Sequence, residues 1–139
     1  MNERRLLQIC VAIAACLPIA SGLYDVVSGL AGHSKMTPGM AIVSYTTESH
    51  YRYLSGLLVG IGVGFWSTVP AIELRAPRFR LLTAIVVVGG LARLLGVALG
   101  DKLTLVVAVA LAMELLVTPL LCLWQARVAA WQVTPRALA

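Results

Sequence analysis

The chain has 139 residues, of which 60% are hydrophobic and 12% charged, with a formal net charge of +5 and a mean hydropathy of +0.91. A soluble domain of this size leaves much of its area wet and cannot hide so much apolar surface, so long apolar stretches read as membrane spans. The positive charge does not indicate nucleic acid: the arginines stand in short clusters between apolar runs, and no polar face interleaves basic and aromatic residues.

The N-terminus, MNERRLLQICVAIAACLPIASGL, has a basic start and an apolar stretch. It mimics a signal peptide, but the stretch is too long and further spans follow, so it reads as a retained first span over about residues 6–30. Cys10 and Cys16 here, and Cys122 later, lie in apolar runs without CxxC spacing and read as buried small hydrophobes. Pro18 removes a helical hydrogen bond at the Ala14 carbonyl and allows a kink. Asp25 is flanked by Ser21, Gly22, Ser28 and Gly29. The outer loop, 31–46, carries a turn at Pro38-Gly39, and its piece MAIVSY is apolar enough to lie on the membrane or to fold over the mouth of the helices.

The second span covers about residues 47–69. Thr47 is placed as its N-cap, with Glu48 in the first turn where the helix dipole favours an anion. Glu48 and Arg52 are spaced i, i+4 in the favourable order, so an ordinary helix-end pair is one reading of Arg52. Gly56, Gly60 and Gly64 follow at steps of four, a glycine zipper expected to pack against another helix. Near this end Glu48, His50 and Asp25 form only a weak metal-ligand pattern, and no metal is expected. After the connection 70–80, with ELRAPRFR, the third span covers about 81–99. Arg93 stands inside it, with Gly89, Gly90 and Gly96 on its own side; Gly89 and Gly96 are expected to pack against another helix. The fourth span, about 103–124, holds Glu114 on a face with Ala110 and Thr118, and Pro119 allows a kink beside it. A short tail, 125–139, ends the single domain.

Continuous apolar runs without alternation exclude a barrel, so the fold class is all-α, a four-helix transmembrane bundle. Arg4, Arg5, Arg75, Arg78, Arg80, Arg127 and Arg136 fall on one side, against Lys35, Lys102 and the span-edge Arg52 on the other. Both termini are therefore expected in the cytoplasm. Trp66, Trp124 and Trp131 fit the inner aromatic belt, Tyr51 and Tyr53 the outer one.

Counted from the outer surface at about 1.5 Å per residue, Asp25 lies roughly 7 Å deep, Arg93 roughly 10 Å and Glu114 roughly 15 Å. Side chains lean toward their own helix N-terminus, which brings Arg93 and Glu114 to a common level. Arg93 is thus expected to pair with Glu114, with Asp25 as the competing partner. All four ionisable groups, Arg52 included, lie on small-residue faces and are expected to point inward, because a charge in the bilayer centre costs about 2.5–3.5 kcal/mol. Such a set is either a site or a network that only sets helix register.

The segments SHYRYLSGLLVGIGVGFW, GGLARLLG and ELLVTPLLCLWQ resemble the small four-span bacterial membrane proteins grouped as domain-of-unknown-function family 4345. A looser similarity links the chain to DoxX-like four-span proteins. The resemblance implies fold and membrane location and transfers no catalytic residue. The positions that would carry a shared role are His50, Arg52, Tyr53, Arg93, Glu114 and Pro119.

These readings predict a bacterial inner-membrane protein with a polar pocket opening to the periplasmic side. Asp25, Glu48, His50, Arg52, Tyr53, Arg93 and Glu114 would form its ligand-binding or buried polar network. Its expected partners are membrane lipids, a lipid- or quinone-like ligand, another membrane protein or a second copy. The competing readings are a small isomerase- or oxidoreductase-like membrane enzyme, with Glu114 or Asp25 as acid/base and Arg93 stabilising an anion, and a transporter subunit. No phosphate loop, Ser/His/Asp order, HExxH or haem-ligand pair is present, and no cofactor is specified.

Overall fold

Inside a bilayer each backbone N–H and C=O has to find its partner within the protein, and an apolar run does so most simply as a helix. The computed structural model describes residues 2–34 and 45–133. Helix α1 spans Glu3–Ser34, α2 Tyr45–Trp66 and α3 Ala76–Ala98. The last span is α4, Leu105–Ala112, a π-helical turn at Met113–Val117, and α5, Thr118–Val133. Among the described residues there is no strand. Among the described residues four segments are long and apolar enough to cross a membrane: Glu3–Leu30, Tyr45–Ala71, Ala76–Ala98 and Leu105–Ala130. The chain is an all-α, multi-pass membrane protein, as its composition requires. The Pro38-Gly39 turn and most of MAIVSY lie outside the described residues.

Several boundaries differ from expectation, three of them with a plain local cause. Helix α2 already includes Tyr45, so Thr47 is inside it and is not its cap; Glu48 keeps its first-turn place. Helix α3 starts at Ala76 rather than Leu81 because Pro77 occupies its first turn, where a missing N–H costs nothing. The last helix runs on to Val133, since nothing in QARVAAWQ breaks it. Thr104 is a side-chain cap, accepting from the Val107 N–H at 3.3 Å.

The described contacts group into two compact units, residues 10–67 and residues 1–9 with 68–139. In the first, α1 and α2 approach closely at two glycines. A β-carbon on Gly22 would lie 2.8 Å from the Ser55 carbonyl oxygen, and one on Gly62 would lie 3.1 Å from the Ala15 carbonyl oxygen. At Gly56 and Gly60, where the zipper was expected, a β-carbon would meet nothing within 4 Å. The reason is angular. A row at steps of four drifts about 40° per step around a helix of 3.6 residues per turn. The stripe that meets α1 alternates threes and fours, through Glu48, Arg52, Ser55, Val59 and Gly62 to Trp66, whose Nε1 donates to the Ala12 carbonyl at 3.0 Å.

In the second unit Leu7, Ile72, Phe79, Thr68 and Gln125 are fully buried. Side chains from the start of α1 and from α5 hold the 68–75 connection. Gln8 Nε2 donates to the Val69 carbonyl at 2.6 Å, Gln125 Nε2 to that of Ile72 at 2.8 Å, and Arg4 meets Glu73 at 2.9 Å. Helix α3 meets the last span at Gly90, whose β-carbon would lie 2.9 Å from Glu114 Cβ. Gly89 faces open space, and Gly96 meets only the Asp101 carboxylate of the following turn. The packing glycine of GGLARLLG is therefore Gly90, about 100° round the helix from Gly89.

Candidate functional site

Two polar constellations stand on these helices, one in each unit. The first begins with a break in α1. Gly29 has φ 59° and ψ −165°, a region open essentially to glycine alone. It is the residue of α1 with non-helical dihedrals, so the interruption lies at Gly29 and not at Pro18. A break exposes carbonyls on one side and N–H groups on the other. Arg52 Nη1 donates to the Val26 carbonyl, and to that of Val27 at 3.3 Å. The Leu30 N–H donates to Glu48 Oε2 at 3.0 Å. A cation thus covers the negative end of one helical piece and an anion the positive end of the next, the arrangement the helix dipole favours. Arg52 and Glu48 also bind each other, with Nη2 2.9 Å and Nε 3.0 Å from Oε1. The i, i+4 spacing on α2 presents both charges to one turn of α1.

Asp25 lies one turn before this break, and its carboxylate accepts the Tyr51 hydroxyl. Beside them run two open grooves on the first turns of α2, one lined by Tyr45, Thr46, Ser49, His50 and Tyr53, the other reaching Leu30, Tyr51 and Leu54. The His50 and Tyr53 rings sit 6.3 Å apart, tilted at 35°. Among the described residues no group of three His, Cys, Asp or Glu side chains is placed to hold a metal ion.

The second constellation is the Arg93–Glu114 pair. Arg93 Nε donates to Glu114 Oε2 and Nη2 to Oε1, both at 3.1 Å. The partner that depth and side-chain lean selected is the partner found. Its burial is not what was expected: 45% of the Arg93 side chain is exposed, against 20% of Glu114. The close helix approach uses Gly90 and leaves the Gly89 side, where Arg93 lies one turn on, uncovered.

Glu114 sits in the π-helical turn. Pro119 has no N–H to give and crowds the preceding turn. The chain adapts by widening: the Thr118 N–H bonds back five residues to the Met113 carbonyl, and the Thr118 hydroxyl donates to the same oxygen at 2.8 Å. Such single wide turns occur often at functional positions. A proline-induced kink was expected from the sequence; the extra residue in the turn was not.

Sequence reasoning missed the Gly29 break, the Asp25–Tyr51 bond and the packing glycines 22, 62 and 90. The signal for the glycines was available in the mixed three-and-four spacing of small residues; for Gly29 there was none beyond its being glycine.

No curated protein and no solved structure matches the chain. A family model does, over residues 6–125, which takes in both constellations. The chain therefore belongs to the family described as Domain of unknown function (DUF4345).

Proposed function

We propose that this is a bacterial inner-membrane binding protein or accessory subunit that holds an amphipathic, lipid- or quinone-like molecule against the polar groups in the outer half of its helices. The observation that carries the reading is the Arg93–Glu114 pair within apolar spans, with its arginine half-exposed. Polar groups at that depth are costly unless they serve something, and intramembrane ionisable residues are functional more often than not. The π-helical turn that sets Glu114 supports it. Native mass spectrometry of the protein released from its own membranes tests this. A lipid- or quinone-sized adduct is expected that is depleted when Arg93 and Glu114 are both replaced by leucine; no adduct on the parent protein would overturn the reading.

The Asp25–Tyr51 contact favours a second reading. A carboxylate that accepts a phenol's hydrogen bond sets a base beside a hydrogen-bond donor, as a small membrane enzyme would need. Chemical conversion of the co-purified molecule, lost in Tyr51→Phe, would select that reading over simple binding.

A further inference from the structure

Resting on the binding reading above, we propose that Arg93 recognises an uncharged carbonyl oxygen on a membrane-dissolved molecule, through the guanidinium edge that Glu114 leaves free. A guanidinium carries five N–H donors and no acceptor. Glu114 takes two of them, on Nε and Nη2, in a side-on bidentate pair. The end-on edge, formed by Nη1 and the second Nη2 hydrogen, has no partner among the described residues, and the side chain is 45% exposed. In hydrocarbon no water is at hand to satisfy donors, so this edge selects whatever acceptor the membrane supplies.

The charge balance narrows the class. Glu114 already neutralises Arg93, and an anion approaching the free edge would also feel the Glu114 carboxylate. A neutral acceptor gains the hydrogen bonds without that repulsion. The shape agrees. Gly89 lies one helical turn from Arg93, is exposed, and a β-carbon there would meet no atom within 4 Å. This leaves a shallow notch beside the guanidinium for the apolar body of the same molecule. Carbonyls of this kind come from two sources, the ester groups of glycerolipids and the ring ketones of quinones.

The test uses the full chain, with ¹⁵N-labelled arginine, in nanodiscs of ether-linked phosphatidylcholine, which has no carbonyl. A decyl-substituted benzoquinone is titrated in, and the Arg93 side-chain nitrogen resonances are followed. In a parallel arm the quinone is omitted and ester-linked phosphatidylcholine replaces the ether lipid. A saturable shift with the quinone assigns a quinone ketone; a shift on going from ether to ester lipid assigns a glycerolipid carbonyl; both together support the shared carbonyl chemistry. Arg93→Lys keeps a cation for Glu114 but removes the second edge, and Gly89→Leu fills the notch while leaving the ion pair. Each is expected to weaken binding of whichever source responds by about tenfold, the loss of one or two hydrogen bonds or of the contact surface, read by native mass spectrometry of the same nanodiscs. Unmoved Arg93 resonances in both arms, or undiminished binding in Arg93→Lys, would overturn the inference. The binding reading itself would then stand or fall on its own adduct, held elsewhere on the helices.

Discussion

Gly29 shows how a single residue sets a site. At φ 59° and ψ −165° even asparagine, which tolerates left-handed helix, finds no allowed well. A β-carbon there would also run into the Glu48 carboxylate and lie 2.6 Å from Arg52 Nη2. Gly29→Ala and Gly29→Asn are therefore expected to destabilise equally, by about 1–3 kcal/mol each, in thermal unfolding in detergent; rescue by asparagine would mean that the backbone there is ordinary left-handed helix. Arg93 and Glu114 pose the opposite question, of two residues acting as one. Removing either strands a charge within an apolar span, which costs about 2.5–3.5 kcal/mol on insertion scales. Arg93→Ala and Glu114→Ala are each expected to lose stability on that order, less a discount for the exposed side of Arg93. The double replacement by leucine is expected to recover much of it, because no orphan charge remains. Strict additivity of the two single changes in a double-mutant cycle would show that the pair is not energetically coupled.

At the scale of elements, the α1–α2 contact is decided by which glycines face inward. Gly22 and Gly62 meet backbone oxygen on the neighbouring helix, which cannot move aside as a flexible side chain does. Gly62→Ala is expected to lose about 1–3 kcal/mol through overpacking. Gly60→Ala is expected to gain up to about 1 kcal/mol, since alanine is the better helix former and nothing obstructs it. A thermal-shift series over Gly56, Gly60 and Gly62 checks the sign at each position. Equal losses at Gly60 and Gly62 would place both against a helix and contradict the three-and-four stripe. The last span makes a similar point about proline. Pro119 does not break the helix; the turn before it takes one extra residue, and Gly90 has no side chain because Glu114 and Leu115 then press on α3.

For the whole molecule, orientation in the membrane rests on charge. The arginines of the N-terminus, of ELRAPRFR and of the tail all fall at one end of the predicted topology. In a background with Cys10, Cys16 and Cys122 replaced, Ala76→Cys is expected to resist a membrane-impermeant thiol reagent in intact cells, and Ser34→Cys to react. Labelling of Ala76→Cys from outside would reverse the topology. The end that carries ELRAPRFR is also the best-buried part of its unit, with Ile72, Phe79 and Gln125 fully enclosed and Arg4 bound to Glu73. Gln125→Ala there is expected to cost about 1–3 kcal/mol, because the Ile72 carbonyl loses its buried donor.

Four helices, their rough limits and the chain's place in a membrane were legible in the residues alone, because they follow from apolar length and from the obligation to satisfy the backbone within each segment. The Arg93–Glu114 pairing was legible too, since depth along a helix and the lean of its side chains are set by helical geometry. Rotation of a helix about its own axis is a different matter. Gly56, Gly60 and Gly62 are chemically identical, and only the approach of α1 selects Gly62 among them. Likewise the left-handed break at Gly29, the two carbonyls that Arg52 covers and the exposure of Arg93 depend on what stands opposite each residue. Composition sets how much apolar surface has to meet lipid; the tertiary packing alone decides which face meets it.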